Sequence, residues 1–143
     1  TMSDCSSLEP SGCAGTPGPP GPPGPSGTGY ESVTTDDALS AGQIVRRVAG
    51  GNIELASGAA EGDGLGTVGM SGTAIGAGGT AQVYRSGSRC PVAGLTPLGD
   101  VYRSSTGGLT DYASLAMGDW TNYIGFNDGS GVDINIGPEE AKV

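Results

Sequence analysis

Histidine is absent from the 143 residues of the chain. Histidine provides the base of serine and cysteine triads, the general bases that work near neutral pH, and most zinc ligands. Those catalytic and metal-binding arrangements are therefore excluded. Paired carboxylates are the catalytic route that remains, as in glycoside hydrolysis. The candidate pairs are Asp36 with Asp37, Asp111 with Asp119, and Asp128 with Asp133.

Other common signatures of chemistry are missing as well. Aspartate is typical of turns and caps in loop-rich β proteins, which explains the paired carboxylates without catalysis. The three cysteines are too dispersed for a metal cage, and no glycine-rich loop leads into a Lys-Ser or Lys-Thr pair. The sequence therefore predicts a protein that is not an enzyme and binds no cofactor.

Basic residues are scarce. Six Lys and Arg stand against 15 Asp and Glu, which gives a net charge of −9. Phosphate binding relies on clusters of Lys and Arg, so we expect no nucleic-acid partner. No apolar run approaches the roughly 18 residues of a membrane-spanning helix, and no signal peptide opens the chain, so we expect no membrane partner.

Large apolar side chains are few. The whole chain has one Trp, one Phe and five Tyr, and glycine fills 22 of the 114 positions from 30 to 143. A domain of this size and composition buries only a thin core. The composition therefore favours burial of surface between subunits.

Glycine occupies every third position between residues 12 and 27. The positions in phase are Gly12, Gly15, Gly18, Gly21, Gly24 and Gly27. Six of the ten prolines lie between these glycines, whereas a flexible linker has no reason to keep such a phase. In a collagen triple helix only glycine fits at the axis. The pattern predicts a collagen-like stalk over residues 12–29, roughly 50 Å long.

A triple helix requires three chains, so the stalk predicts a parallel homotrimer. Six triplets are few, because ordering each residue costs about 1–2 kcal/mol of backbone entropy. We therefore expect residues 30–143 to set the register of the trimer and the stalk to act as a spacer or clasp. Residues 1–11 are polar and small, and we interpret them as a tail or docking peptide.

Two of the three cysteines, Cys5 and Cys13, flank the start of the stalk, where three chains would converge. They could form interchain disulfides that fasten the trimer, or remain reduced thiols in a cytosol. An odd number of cysteines leaves at least one thiol unpaired within a chain.

Residues 30–143 alternate short apolar runs with Gly, Asn, Asp and Ser, as all-β domains do. We predict a small antiparallel β sandwich or barrel. The predicted strands are 43–49, 52–57, 66–71, 80–85, 100–104, 120–127 and 132–136. A glycine pair predicts a tight turn at 49–52, and the sequence Asp-Gly-Ser-Gly predicts a second at 128–131. The only helix candidates are 36–40 and 114–118.

Three features of this domain allow more than one interpretation. The segment 127–133 offers oxygen ligands for calcium, but it lacks the spacing and final Glu of an EF-hand, which favours a turn. Arg46, Arg47 and Glu54 are charges inside predicted strands, and they either face solvent or pair between subunits. The sequences VYRSG at 83–87 and VYRSS at 101–105 suggest two strands in similar positions.

The order of short motifs along the domain resembles that of small β domains in tailed-bacteriophage virions. The motifs are ALSAGQIV at 38–45, GNIELA at 51–56, LGTVGM at 65–70, GGTAQVY at 78–84, VYRSSTGGLT at 101–110, YIGF at 123–126 and INI at 134–136. The resemblance covers residues 36–137. Capsid decoration proteins, head fibres and tail fibres share this rhythm, and collagen-like triplets recur among them.

The resemblance implies a trimeric, non-enzymatic accessory protein on the virion surface, assembled in the cytoplasm of the bacterial host. The first interpretation is a head decoration or head-fibre protein that binds the major capsid protein. The second is a tail-fibre or receptor-binding segment that contacts tail proteins. A bacterial collagen-like surface adhesin is a third, and the missing signal peptide and anchor count against it.

Replacing Gly21 by alanine tests the stalk. A Cβ at the axis disrupts the triple helix, so Gly21→Ala should lower the melting temperature of the collagen-type circular dichroism signal while the β domain stays trimeric. Thr16→Ala, which keeps the glycine phase, is the matched control. An unchanged signal in Gly21→Ala would make the segment a linker.

Overall fold

The computed structural model describes residues 29–143. The stalk glycines Gly12 to Gly27, the tail 1–11, and Cys5 and Cys13 lie outside the described residues. Within them the chain is all-β, with two antiparallel sheets whose side chains share one core, as in a sandwich. No helix in this part of the chain has the length and apolar character needed to cross a bilayer.

The described residues form eleven short strands and one turn of 3-10 helix, Tyr112–Ser114. The strands in chain order are β1 (Tyr30–Thr34), β2 (Ile44–Arg47), β3 (Ile53–Leu55), β4 (Thr67–Ser71), β5 (Thr80–Arg85), β6 (Arg89–Cys90), β7 (Gly99–Arg103), β8 (Leu109–Thr110), β9 (Trp120–Asn127), β10 (Val132–Ile134) and β11 (Glu139–Ala141).

Sheet A has the strand order β1-β5-β4-β2-β3, with β1 and β3 at its edges. Sheet B has the order β6-β10-β9-β7-β8. The long strand β9 is central in sheet B, and β7 pairs along one side of it. On the other side of β9, β10 pairs with its last residues and β11 pairs with its first residues. The second half of the chain therefore folds around β9.

The main core lies between the sheets. Ile44 and Met70 of sheet A meet Val101, Ile124 and Val132 of sheet B, and all five are fully buried. Burial of each such side chain contributes about 1.5–3 kcal/mol. The core therefore holds the inner face of sheet B against sheet A.

A second apolar cluster covers the other face of sheet A. Leu39 and Ile75, whose backbones form an isolated β bridge, close over Val45, Ile53 and Val83. Sheet A is thus covered on both faces. The outer face of sheet B has no comparable cover among the described residues, apart from the short helix near one end.

All seven predicted strands overlap an observed strand, and those at Thr80–Arg85 and Trp120–Asn127 have the predicted bounds. Both predicted turns are confirmed. Gly50 and Gly51 have φ of 91° and 92° and connect β2 to β3, and residues 128–131 connect β9 to β10. Strands β1, β6, β8 and β11 were not predicted.

Both helix predictions are wrong. In 36–40, the Thr35 hydroxyl bonds to the backbone of Asp37, and Leu39 pairs with Ile75 instead of continuing a helix. In 114–118, the chain becomes extended at Leu115, where ψ is 144°. Side-chain bonds to the local backbone compete with helix formation in such segments.

Gly125 lies at a close approach of β9 to β10, where an added Cβ would overlap the carbonyl oxygen of Asp133. We expect Gly125→Ala to lower the free energy of unfolding by about 1–3 kcal/mol. Gly76→Ala is the matched control, because no atom lies within 4 Å of a Cβ there and its φ is not in the left-handed region. Urea unfolding midpoints measure both, and equal values would contradict the prediction.

Candidate binding surface

The outer face of sheet B carries most of the aromatic side chains of the protein. The chain has five Tyr, one Phe and one Trp. Four of these seven residues, Tyr102, Tyr112, Tyr123 and Phe126, lie on or beside this face. The side chain of Phe126 is the most exposed of the four, at 48%. Partly exposed aromatic side chains in one patch are typical of binding surfaces.

A β-bulge in β9 places these side chains on one face. Tyr123 lies opposite Tyr102 of β7, and Phe126 lies opposite Asp100, with a register shift between Tyr123 and Gly125. Residues directly opposite each other in an antiparallel pair share a face. Without the bulge, residues three apart would point to opposite faces. The extra residue therefore turns both aromatic rings outward.

Three tyrosines form one wall of a pocket of about 250 Å³. The Tyr102 ring centroid lies 5.2 Å from that of Tyr112 and 5.4 Å from that of Tyr123, with interplanar angles of 57° and 74°. Such tilted and edge-to-face pairs are the geometry that aromatic rings prefer. The pocket is lined by Tyr102, Tyr112, Thr121, Tyr123, Gly137, Pro138, Glu140 and Ala141.

Hydrogen bonds hold two of the three tyrosines. The Tyr123 hydroxyl donates to Asp100 at 2.9 Å, and burial together with this bond raises the pKa of Tyr123. The Tyr112 hydroxyl accepts the backbone N–H of Val143 at 3.4 Å. Its ring also lies 4.9 Å from the Lys142 ammonium, a distance at which a cation and an aromatic ring attract each other.

Two polar groups of the pocket have no such partner. Within residues 29–143, the Tyr102 hydroxyl and the Glu140 carboxylate make no hydrogen bond. By contrast, the Lys142 ammonium donates to the carbonyl oxygens of Tyr112 at 2.7 Å and Leu115 at 3.0 Å. The pocket thus presents a hydroxyl and a carboxylate to a ligand, while the ammonium of Lys142 beside Tyr112 is already bonded.

A buried arginine lies directly beneath the pocket. Arg103 is 1% exposed. Its guanidinium donates to the Asn122 side chain at 2.9 Å and to the carbonyl oxygens of Gly58 at 2.7 Å and Trp120 at 3.1 Å. Burial lowers its pKa, and the Glu139 carboxylate 4.0 Å away acts in the opposite direction. Arginine remains charged in proteins, so this is a buried cation, and each of its three side-chain nitrogens donates one hydrogen bond.

Glu139 extends this network to a neighbouring loop. Its side chain is 5% exposed and accepts the backbone N–H groups of Gly62 at 2.9 Å and Gly64 at 2.6 Å. Asn122 donates to the carbonyl oxygen of Gly137 at 3.2 Å. A Cβ at Gly64 would overlap the Asn122 side chain, so the loop can come this close to β9 only with glycine at position 64.

Pocket residues and network residues alternate along the strands. In β7, Tyr102 faces the pocket and the next residue, Arg103, faces inward. In β11, Glu139 faces inward and the next residue, Glu140, faces the pocket. Since successive side chains of a strand point to opposite faces, the buried network fixes the positions of the pocket side chains above it.

The strand charges that either face solvent or pair between subunits have partners within the chain. Arg46 donates through Nε to Glu54 at 2.6 Å, directly across from it on β3. Arg47 lies 3.6 Å from Glu31 and donates to the Gly51 carbonyl oxygen. Pairing of Arg46, Arg47 or Glu54 across a subunit interface stays a prediction.

One predicted carboxylate pair is brought together. Asp128 and Asp133 both bind Arg89, at 2.8 and 3.0 Å. The backbone N–H of Ser130, then Arg89, lower the pKa of Asp128 to about 2. The two carboxylates thus hold an arginine beside a turn. Within residues 29–143, no three side chains of Asp, Glu, Cys or His are grouped as a metal site requires.

The other two carboxylate pairs have structural bonds as well. Asp36 accepts a bond from the side chain of Asn52, and Asp37 accepts the backbone N–H of Leu55. Asp111 caps the 3-10 helix, and Asp119 accepts the N–H of Ala116. The remaining cysteine of the described range, Cys90, is fully buried between the sheets, and burial raises its pKa to about 11.

The sequence did not predict the tyrosine-lined pocket. Its residues come from β7, the 3-10 helix, β9, β11 and the two residues before β11, and β11 itself was not predicted. The repeated VYRS motif marked Tyr102 and Arg103 as part of a strand, but nothing in the motif indicated which residue would be buried. No protein-family model matches the chain, and no curated protein sequence matches it significantly.

Replacement of Arg103 by methionine tests the network. Arg103→Met leaves the buried Glu139 carboxylate without its cation, so we expect the free energy of unfolding to fall by about 3–5 kcal/mol. Arg85→Met is the matched control at the equivalent position of the VYRS repeat, because Arg85 pairs with Glu31 at an exposed site and should cost less than about 1 kcal/mol. Chemical denaturation measures both variants, and an equal loss of unfolding free energy in the two would contradict the role assigned to Arg103.

Proposed function

We propose that the protein is a non-enzymatic structural component of a tailed-phage virion that binds the outer surface of the capsid as a homotrimer. The observation that carries this proposal is the direct continuity between the glycine triplets and the folded domain. The phase ends at Gly27, and β1 begins at Tyr30. Three chains leaving a triple helix would therefore place three domains side by side, without a linker between stalk and domain.

The position of β1 supports this arrangement. β1 is an edge strand of sheet A, paired with β5 on one side and with no strand of the described residues on the other. Three β1 strands that start at a common axis would bring these edges close together. Glu31 of β1 binds Arg85 at 2.7 Å and lies 3.6 Å from Arg47. Arg85 lies on β5, next to β1, whereas Arg47 lies on β2 beside the opposite edge of the sheet, so a contact of Arg47 between subunits stays a prediction.

The attachment to a capsid rests on the resemblance to virion β domains and on the character of the domain. A rigid two-sheet unit is suited to permanent contact with a large surface such as the major capsid protein. A tail-fibre or receptor-binding segment is the second candidate, and the tyrosine-lined pocket favours it because receptor recognition needs a ligand site.

Oligomeric state and location test the proposal together. The full chain should have three times the mass of one chain in light scattering, and cross-linking should stop at three. Gold labels attached at residue 1 and at residue 143 should decorate the head of intact particles. Labels confined to the tail would support the second candidate. A monomer in solution, or particles without label, would overturn the proposal.

A further inference from the structure

We propose that the tyrosine-lined pocket on the outer face of sheet B is a binding site for neutral carbohydrate, with room for one sugar ring. The inference concerns the pocket alone and holds for either location on a virion. At about 250 Å³ the pocket is slightly smaller than the roughly 300–1,000 Å³ that is usual for ligand sites. That size suits a terminal sugar more than a large cofactor.

The aromatic wall supplies the apolar contact that a sugar requires. One face of a sugar ring presents C–H groups, which carry a slight positive charge. The face of a tyrosine ring is slightly negative. Tyr102, Tyr112 and Tyr123 all line the pocket, so a bound sugar would contact these rings, and Pro138 and Ala141 also line it.

The free polar groups of the pocket match hydroxyl groups. The Glu140 carboxylate can only accept hydrogen bonds, and the Tyr102 hydroxyl can donate or accept. Sugar hydroxyls donate and accept, so they can satisfy both. A proline-rich peptide also binds aromatic grooves, but proline has no N–H and offers mainly carbonyl acceptors. Such a peptide would leave the Glu140 carboxylate without a donor.

Charge argues against ionic ligands. An anion would meet the Glu140 carboxylate, and the Lys142 ammonium near the pocket already donates to backbone carbonyl oxygens. A cation would be attracted by the Glu140 carboxylate but repelled by the Lys142 ammonium, which already lies over the Tyr112 ring at 4.9 Å. A neutral ligand avoids both repulsions.

The site is also held in shape without a ligand. Arg103, Asn122 and Glu139 fix the strands from beneath, and the Asp100 carboxylate orients Tyr123. A preformed site loses less entropy on binding, which allows a few contacts to give measurable affinity.

Titration of the isotope-labelled full chain with sugars, followed by two-dimensional NMR, tests the proposal. The probes are glucose, galactose, mannose, N-acetylglucosamine, maltose and chitobiose, at concentrations up to tens of millimolar. We expect saturable shifts of the Gly137 and Ala141 amide signals with at least one probe. Choline, inorganic phosphate and a synthetic peptide of residues 16–25 should cause no saturable shift at these amides.

Three variants separate stacking from hydrogen bonding. Tyr102→Ala should weaken sugar binding about tenfold, because an aromatic contact is lost. Tyr102→Phe keeps the ring and Glu140→Gln keeps an acceptor, so each should weaken binding only a few fold. Phe126→Ala is the matched control, an exposed aromatic residue of the same face that does not line the pocket. The Phe126→Ala variant should bind the sugar with unchanged affinity.

Several outcomes would overturn the assignment. These are no shift with any sugar, a saturable shift with choline, phosphate or the peptide, or an equal loss in Phe126→Ala and Tyr102→Ala. Should Tyr102→Ala fail to fold, Tyr102→Phe and Glu140→Gln carry the test, and unchanged affinity in both would reject the proposed contacts.

Discussion

The second half of the fold depends on the burial of one positive charge. Transfer of the Arg103 guanidinium from water costs several kcal/mol, and that cost is offset only when every partner is in place. Those partners come from β9, from β11 and from the glycine-rich loop at 58–64. None of these segments can shift without leaving a buried polar group unpaired. The network therefore makes four separate pieces of chain move as one unit, and the pocket above them inherits that rigidity.

The aromatic face follows from a second constraint, the β-bulge in β9. A regular strand would show alternate residues to solvent, and Tyr123 and Phe126 would lie on opposite faces. The register shift before Gly125 changes that alternation partway along the strand. Asn122, before the shift, lies in the polar network, and Ile124, at the shift, lies in the apolar core. The inner face of β9 thus contributes to both the polar network and the apolar core, while Tyr123 and Phe126 lie on the outer face.

The fold was more predictable from sequence than the site. Apolar alternation and glycine pairs identified the longer strands and both hairpins, because those features act over a few neighbouring residues. Strands of two or three residues, such as β6 and β8, have no pattern of their own, and pairing with a neighbour creates them. The VYRS repeat shows the limit most clearly. Arg85 and Arg103 follow the same Val-Tyr pair, yet Arg85 is exposed and Arg103 is buried. The difference comes from Glu139, which lies 36 residues beyond Arg103 and contacts it only through the pairing of β11 with β9.

A trimer would give the pocket a property that one chain lacks. A shallow site with three rings and two free polar groups binds a single sugar weakly, because few contacts oppose the entropy lost on binding. Three such sites on one particle convert later binding steps into events at high effective concentration, provided that the spacing of the sites matches that of the ligand groups. Rigidity then matters as much as contact, since sites on mobile strands would lose the fixed spacing. The buried network would fix the shape of each pocket, and a common register of three chains would fix the spacing between pockets. Each limits the freedom of a site whose individual contacts are few.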